Sequence, residues 1–194
     1  GRLGSIAYDN RDRNSDSTQL GIGLQAVLNP SLQGNIRVGY ENKDYDNALT
    51  GSSDSPYFSS ELIVTPTAGR SINLGASYAF SESNIDHFVN QERFVVYGGI
   101  SQDITAKLVA NLSASLTTSS YAPDEQQVNG VAAGSDLSGG GDEDFLRVSF
   151  RGTYKINRSN WLEAGWQFLD LTSDFGSTRE YDQNRFHTGW KTKF

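Results

Sequence analysis

His87 and His187 are the only histidines in this sequence, and cysteine is absent. The missing thiols remove disulfides, thiolate zinc sites and cysteine nucleophiles together. A histidine base would need a nucleophile and an orienting acid within hydrogen-bond reach. Asp86 adjoins His87 in a polar connecting stretch, but neighbouring extended residues point apart, so adjacency makes no dyad. His187 stands two residues from Arg185 and from Gly189, is expected to face the lumen with them, and reads as one more polar wall residue. The acidic run Asp142-Glu143-Asp144 follows three glycines, and it lacks the spacing of a calcium-binding loop. It reads as solvated loop. Asn111-Leu112-Ser113 and Asn157-Arg158-Ser159 match the glycosylation pattern, but one falls in a strand and the other in a short turn. Gly21 and Gly23 make a G-x-G with no helix after it, so they read as small inward residues where the wall comes close to filling groups. No P-loop, zinc motif or carboxylate pair stands out. The expectation is a protein that is not an enzyme, with no catalytic residue, no metal and no cofactor.

The chemistry that remains is charge placed at every second position, which makes the period of the chain the central fact. Leu20, Ile22, Leu24, Ala26 and Leu28 alternate with small or polar residues. So do Ile72, Leu74, Ala76, Tyr78 and Phe80, and likewise Leu108, Ala110, Leu112, Ala114 and Leu116. Alternation marks a strand with two unlike faces. Each run is about nine to twelve residues long, where ordinary strands peak near five or six. A tilted strand needs about 9–11 residues to cross a bilayer. No run approaches the ~18 consecutive apolar residues of a transmembrane helix.

Turn chemistry cuts the chain into ten strands, at about 2–9, 17–28, 33–45, 56–66, 70–82, 91–102, 107–120, 144–156, 161–173 and 181–194. Asn29-Pro30-Ser31, Thr67-Ala68-Gly69, Asp103-Ile104-Thr105 and Asn157-Arg158-Ser159-Asn160 are short turns. The connections between them are longer, the longest being about 121–143. Short turns at one end and long loops at the other are the pattern of an outer-membrane barrel, with the loops extracellular. The expectation is therefore one all-β domain over 1–194, a transmembrane antiparallel up-and-down β-barrel of about ten strands. It is either complete or the C-terminal part of a wider barrel. The lack of Met and of a leader reads as a processed chain or a piece of a longer one.

The even-numbered strand residues are the apolar ones, and Leu24, Leu74, Leu112, Phe150, Trp166 and Trp190 are expected to face lipid. The odd-numbered face is expected to line a lumen, and it leans basic. Arg37, Arg93, Lys107, Arg147, Arg151, Lys155, Arg185 and Lys191 stand against Glu41, Glu61 and Glu163. The net charge of −7 comes mostly from loop residues, among them Asp44, Asp54, Asp124, Asp136, Asp142, Glu143, Asp144 and Asp174. An acidic chain of this kind argues against nucleic acid as a partner. Rings of Arg and Lys are how pores favour anions. The rival reading is an interior closed by charged side chains, giving a structural or adhesive barrel whose acidic loops bind a surface partner.

Leu32-Gln33-Gly34-Asn35-Ile36-Arg37-Val38-Gly39-Tyr40-Glu41-Asn42-Lys43-Asp44-Tyr45 and Leu62-Ile63-Val64-Thr65-Pro66-Thr67 resemble segments of the putative beta-barrel porin 2 family of bacterial outer-membrane proteins. So does the tail, with Ala164-Gly165-Trp166-Gln167-Phe168, Ser173-Asp174-Phe175 and Glu180-Tyr181-Asp182-Gln183-Asn184-Arg185. The resemblance implies a passive outer-membrane conduit, or the barrel component of an envelope or exopolysaccharide export system. Its partners would be outer-membrane lipid and lipopolysaccharide, and envelope export or surface proteins. The terminal Phe194 resembles the signal read by the barrel-assembly machinery.

Overall fold

The computed structural model describes residues 2–6, 15–45, 52–82, 90–121, 140–176 and 179–193. Residues 7–9 of the first expected strand, His87, loop residues 122–139 and Phe194 lie outside the described residues. Ten strands appear: β1 Arg2–Ile6, β2 Ser15–Asn29, β3 Leu32–Tyr45, β4 Ser52–Thr67, β5 Arg70–Glu82, β6 Asn90–Asp103, β7 Leu108–Tyr121, β8 Gly141–Lys155, β9 Asn160–Ser173 and β10 Tyr181–Thr192. They form one sheet in sequence order. Every neighbouring pair is antiparallel, so the chain runs up and down throughout.

The short connections close as their residues dictate. Asn29 Oδ1 accepts the Ser31 amide at 2.8 Å, and Asn157 Oδ1 accepts the Ser159 amide at 3.0 Å. Thr105 Oγ1 takes the amides of Lys107 and Leu108 at 3.2 and 3.0 Å. These are side chains completing turns in place of backbone. Gly69 has φ 77°, the left-handed value that the third position of a type II turn demands.

Register carries the parity of the sequence across the whole sheet. Leu24 pairs with Ile36, Leu62 with Leu74, Ile100 with Leu112, Leu112 with Phe150, Phe150 with Trp166, and Trp166 with Phe186. A one-residue slip anywhere would turn every later side chain to the other face. Even-numbered apolar residues therefore form one continuous surface, and they are open to their surroundings: Leu24 is 66 % exposed and Trp190 63 %. Among the described residues the buried ones are all odd-numbered, including Glu41, Lys43, Tyr121, Glu143 and Leu169. A curved sheet crowds side chains on its concave face and spreads them on its convex one. The odd face is thus the inner one.

β4 and β8 begin three or more residues earlier than turn residues alone suggest. β4 starts at Ser52 because Asp44 pairs with Ser52. Pro56 is tolerated there because the ladder to β5 begins only at Phe58. β8 starts at Gly141, where Tyr121 pairs with it. Asp142, Glu143 and Asp144 are therefore strand residues, and the expected loop reading of this acidic run is corrected. The sheet is open. Among the described residues β1 pairs only with β2 and β10 only with β9.

Candidate lumenal wall

Along β7, the even residues from Leu108 to Leu116 are apolar, and Thr118 is the first polar one. On β8 the same change comes at Asp144, whose carboxylate accepts the Thr118 hydroxyl at 2.6 Å. On β3 and β4 the Asn42 amide donates to Asp54 at 2.6 Å. On these strands the outer surface therefore changes from apolar to polar at the loop end. At the other end, Trp190 Nε1 donates to Asn160 and to Thr192 at 3.2 and 2.9 Å. A tryptophan with a greasy body and a bonded N–H suits the membrane interface.

The expected lumen-lining residues fall on the odd face. Arg37 and Glu41 come from β3, Glu61 from β4, Arg93 from β6, Arg147, Arg151 and Lys155 from β8, Glu163 from β9, and Arg185 and Lys191 from β10. Lys107 stands one residue before β7 and belongs to the short-turn rim rather than to the wall. Leu24, Leu74, Leu112, Phe150, Trp166 and Trp190 all lie on the even face. Glu61 accepts from the Asn35 amide at 3.3 Å. Glu163 Oε1 lies 3.6 Å from Arg151 Nε and 3.7 Å from His187 Nε2. Arg147 stands over the Phe145 ring, 5.4 Å from its centroid, a cation–π contact. Large side chains on this face lie down on glycine. The Tyr57 ring covers Gly39 and Gly21, and the Tyr97 ring covers Gly75, where any Cβ would collide with it.

One cluster escaped sequence reasoning. At the loop end of β7, β8 and β9, Glu143 is buried and fully engaged. Tyr121 Oη donates to it at 3.0 Å, Ser173 Oγ at 2.9 Å and Arg179 Nε at 2.7 Å. Phe175 packs edge-on against Tyr121, with ring centroids 5.2 Å apart. These groups sit beyond the apolar band. Burial pushes the Glu143 carboxyl up, but the hydrogen bonds from Arg179, Ser173 and Tyr121 outweigh it and hold the carboxyl below its usual 4.5. Burial and the Glu143 charge both push the Tyr121 phenol up. The signal was present in register. Ser119, Glu143 and Ser173 make one row across three strands, which continued alternation past Asp144 would have predicted. Among the described residues no group of three or more His, Asp or Glu is arranged to hold a metal.

The family model described as Putative beta-barrel porin 2 matches residues 5–194. The chain belongs to this family. No curated protein sequence matches it. Among solved structures, it resembles the ferripyoverdine receptor of the outer membrane of Pseudomonas aeruginosa, at TM-score 0.59 and 13 % identity, over 93 % of this chain and 27 % of that one. The chain thus spans about a quarter of that receptor's length, and the likeness is one of fold. The NanC porin matches at TM-score 0.43 and 13 % identity, over 99 % of this chain and 91 % of that one. Family and fold point to a β-barrel of the bacterial outer membrane.

Proposed function

We propose that this porin-family chain builds the wall of a passive conduit whose inner face favours anions. The observation that supports it is the separation of charge by parity. Arg37, Arg93, Arg147, Arg151, Lys155, Arg185 and Lys191 share the inner face with Glu41, Glu61, Glu143 and Glu163, while Asp54, Asp142 and Asp144 sit on the outer face at the loop end. Cationic linings raise local anion concentration and exclude cations. An interior closed by charge ladders would call for tight ion pairs. The Arg151–Glu163 pair is loose, and the arginine side chain is 57 % exposed. No catalytic step is part of the proposal. Passage of a polymer in an export system would use the same wall.

Planar-bilayer recording across a KCl gradient tests it. A resolved channel with a reversal potential on the chloride side is expected. Neutralising Arg147, Arg151 and Lys155 together to Gln should move that potential toward the potassium side. A reversal potential that stays put removes these residues from the passage, and silence of the wild-type protein removes the conduit.

A further inference from the structure

We infer that the inner face of β7–β10 carries a recognition site for small hydroxylated carboxylates, formed by two half-tethered arginines beside a row of neutral hydrogen-bonding side chains. The proposal rests on the conduit reading for its biological setting, and it names the solute class.

Two consecutive rows of the inner face make the site. Ser113, Ser149, Gln167 and Arg185 pair in one line across four strands. Asn111, Arg151, Gly165 and His187 pair in the next. Both rows border one concavity of about 790 Å³, within the range of small-ligand sites. Gly165 shapes it. The His187 imidazole lies where a side chain at 165 would stand, with Nε2 only 2.7 Å from the Cβ position. The histidine ring thereby occupies the space over Gly165 and lines the concavity.

The arginines are prepared for a carboxylate. Arg151 approaches Glu163 through Nε at 3.6 Å, and Arg185 donates from Nε to Gln183 at 2.9 Å. Arg185 is thus anchored by its inner nitrogen and Arg151 is drawn more loosely toward Glu163, and the terminal nitrogens of both carry no hydrogen bond among the described residues. Those terminal nitrogens form the fork that grips a carboxylate with two parallel hydrogen bonds. Strand spacing and rise put the two Cα atoms ~12 Å apart, so both long side chains reach one ligand between them. An inorganic anion needs only the arginines. The neutral row adds groups that both donate and accept, which is what hydroxyls require. The Ser113 and Ser149 hydroxyls already share one bond at 2.7 Å, which either can donate. Asn111 and Gln167 add amides on either side.

Isothermal titration of the detergent-folded protein with sodium gluconate, sodium glucuronate, sodium acetate and glucose tests the site apart from transport. Gluconate and glucuronate should each bind at least about tenfold more tightly than acetate or glucose. Binding confined to gluconate assigns open-chain hydroxy acids, and binding confined to glucuronate assigns sugar acids. Arg151→Gln with Arg185→Gln should weaken both about tenfold or more. Asn111→Ala with Gln167→Ala should weaken both while acetate stays as weak as before. If neither compound binds better than acetate to the wild-type protein, the site is overturned, whatever the variants do. Hydroxy-acid binding by a protein that passes no current keeps the site and overturns the conduit. An anion-selective current with no such binding does the reverse.

Discussion

Glu143 shows what a single residue does when alternation carries it to the inner face at the edge of the apolar band. Its carboxylate has almost no contact with water, and it accepts from Tyr121, Ser173 and Arg179 at once. Glu143→Ala removes the acceptor shared by the buried Tyr121 and Ser173 hydroxyls and should cost about 1–3 kcal/mol of stability. Arg179, a third exposed, can recover water and limits the loss. A refolding titration in urea, read by electrophoretic mobility of folded and unfolded forms, measures it. The pH dependence follows from the lowered folded-state pKa. The contribution is fully present above 4.5, the unfolded value, and is lost as pH falls through the lower folded one. Stability of the wild-type protein should therefore drop more steeply below 4.5 than that of Glu143→Gln, which has no charge to lose. Parallel slopes would show that another carboxylate governs acid unfolding. The residue was invisible as an individual in the sequence because its neighbours Asp142 and Asp144 are exposed and solvated. A run of three acids reads as one solvated unit until register splits it between two faces.

At the scale of the strand, the sequence is at its most legible, and the reason is physical. A wall with hydrocarbon on one side and water on the other must change polarity every residue, so period two persists wherever the chain spans. That is why Ile72 through Phe80 identified β5 and Leu108 through Leu116 identified β7. Strand ends are less legible because above the band neither face is apolar, and alternation carries no hydropathy signal there. Ser52–Ser55 and Gly141–Glu143 are strand by backbone pairing alone. Composition could not reveal that pairing. The ring contacts over glycine were also out of reach, since Tyr57 meets Gly39 and Gly21 only after three strands align. The face assignment has a direct test. Leu112 is at the middle of the band and exposed outward, and Ser113 is next to it on the inner face. Leu112→Arg should destabilise the membrane-inserted protein by about 2–4 kcal/mol, and Ser113→Arg by much less. Both are read by denaturant titration in lipid vesicles. Equal effects would mean that the even face does not meet lipid.

For the whole molecule, the decisive feature is that the sheet has two edges. β10 holds β9 from Tyr181↔Leu171 to Thr192↔Asn160. In an antiparallel strand about half of the backbone groups point to each neighbour, so the other half of β10 points away from the sheet. Phe186 and Trp190 are on its outer face, 79 % and 63 % exposed, which puts this strand at hydrocarbon depth. Each unsatisfied backbone group there costs several kcal/mol, so a bare edge cannot persist in a bilayer. β1 and β10 run in opposite directions, so antiparallel closure between them is open topologically. Among the described residues β1 spans 5 residues and β10 spans 12. Closure by these ten strands would leave an interior close to the size that side chains fill, a poor passage for any solute larger than an ion. Further strands, from this polypeptide or a neighbour, would cover the edge and widen the passage together. Hydrogen exchange in lipid bilayers discriminates. Amides along the full length of β10 should exchange as slowly as those of β9. Protection confined to the part facing β1 would indicate a narrow closed ring. Fast exchange at every second residue of β10 would mean that this strand does not cross the membrane.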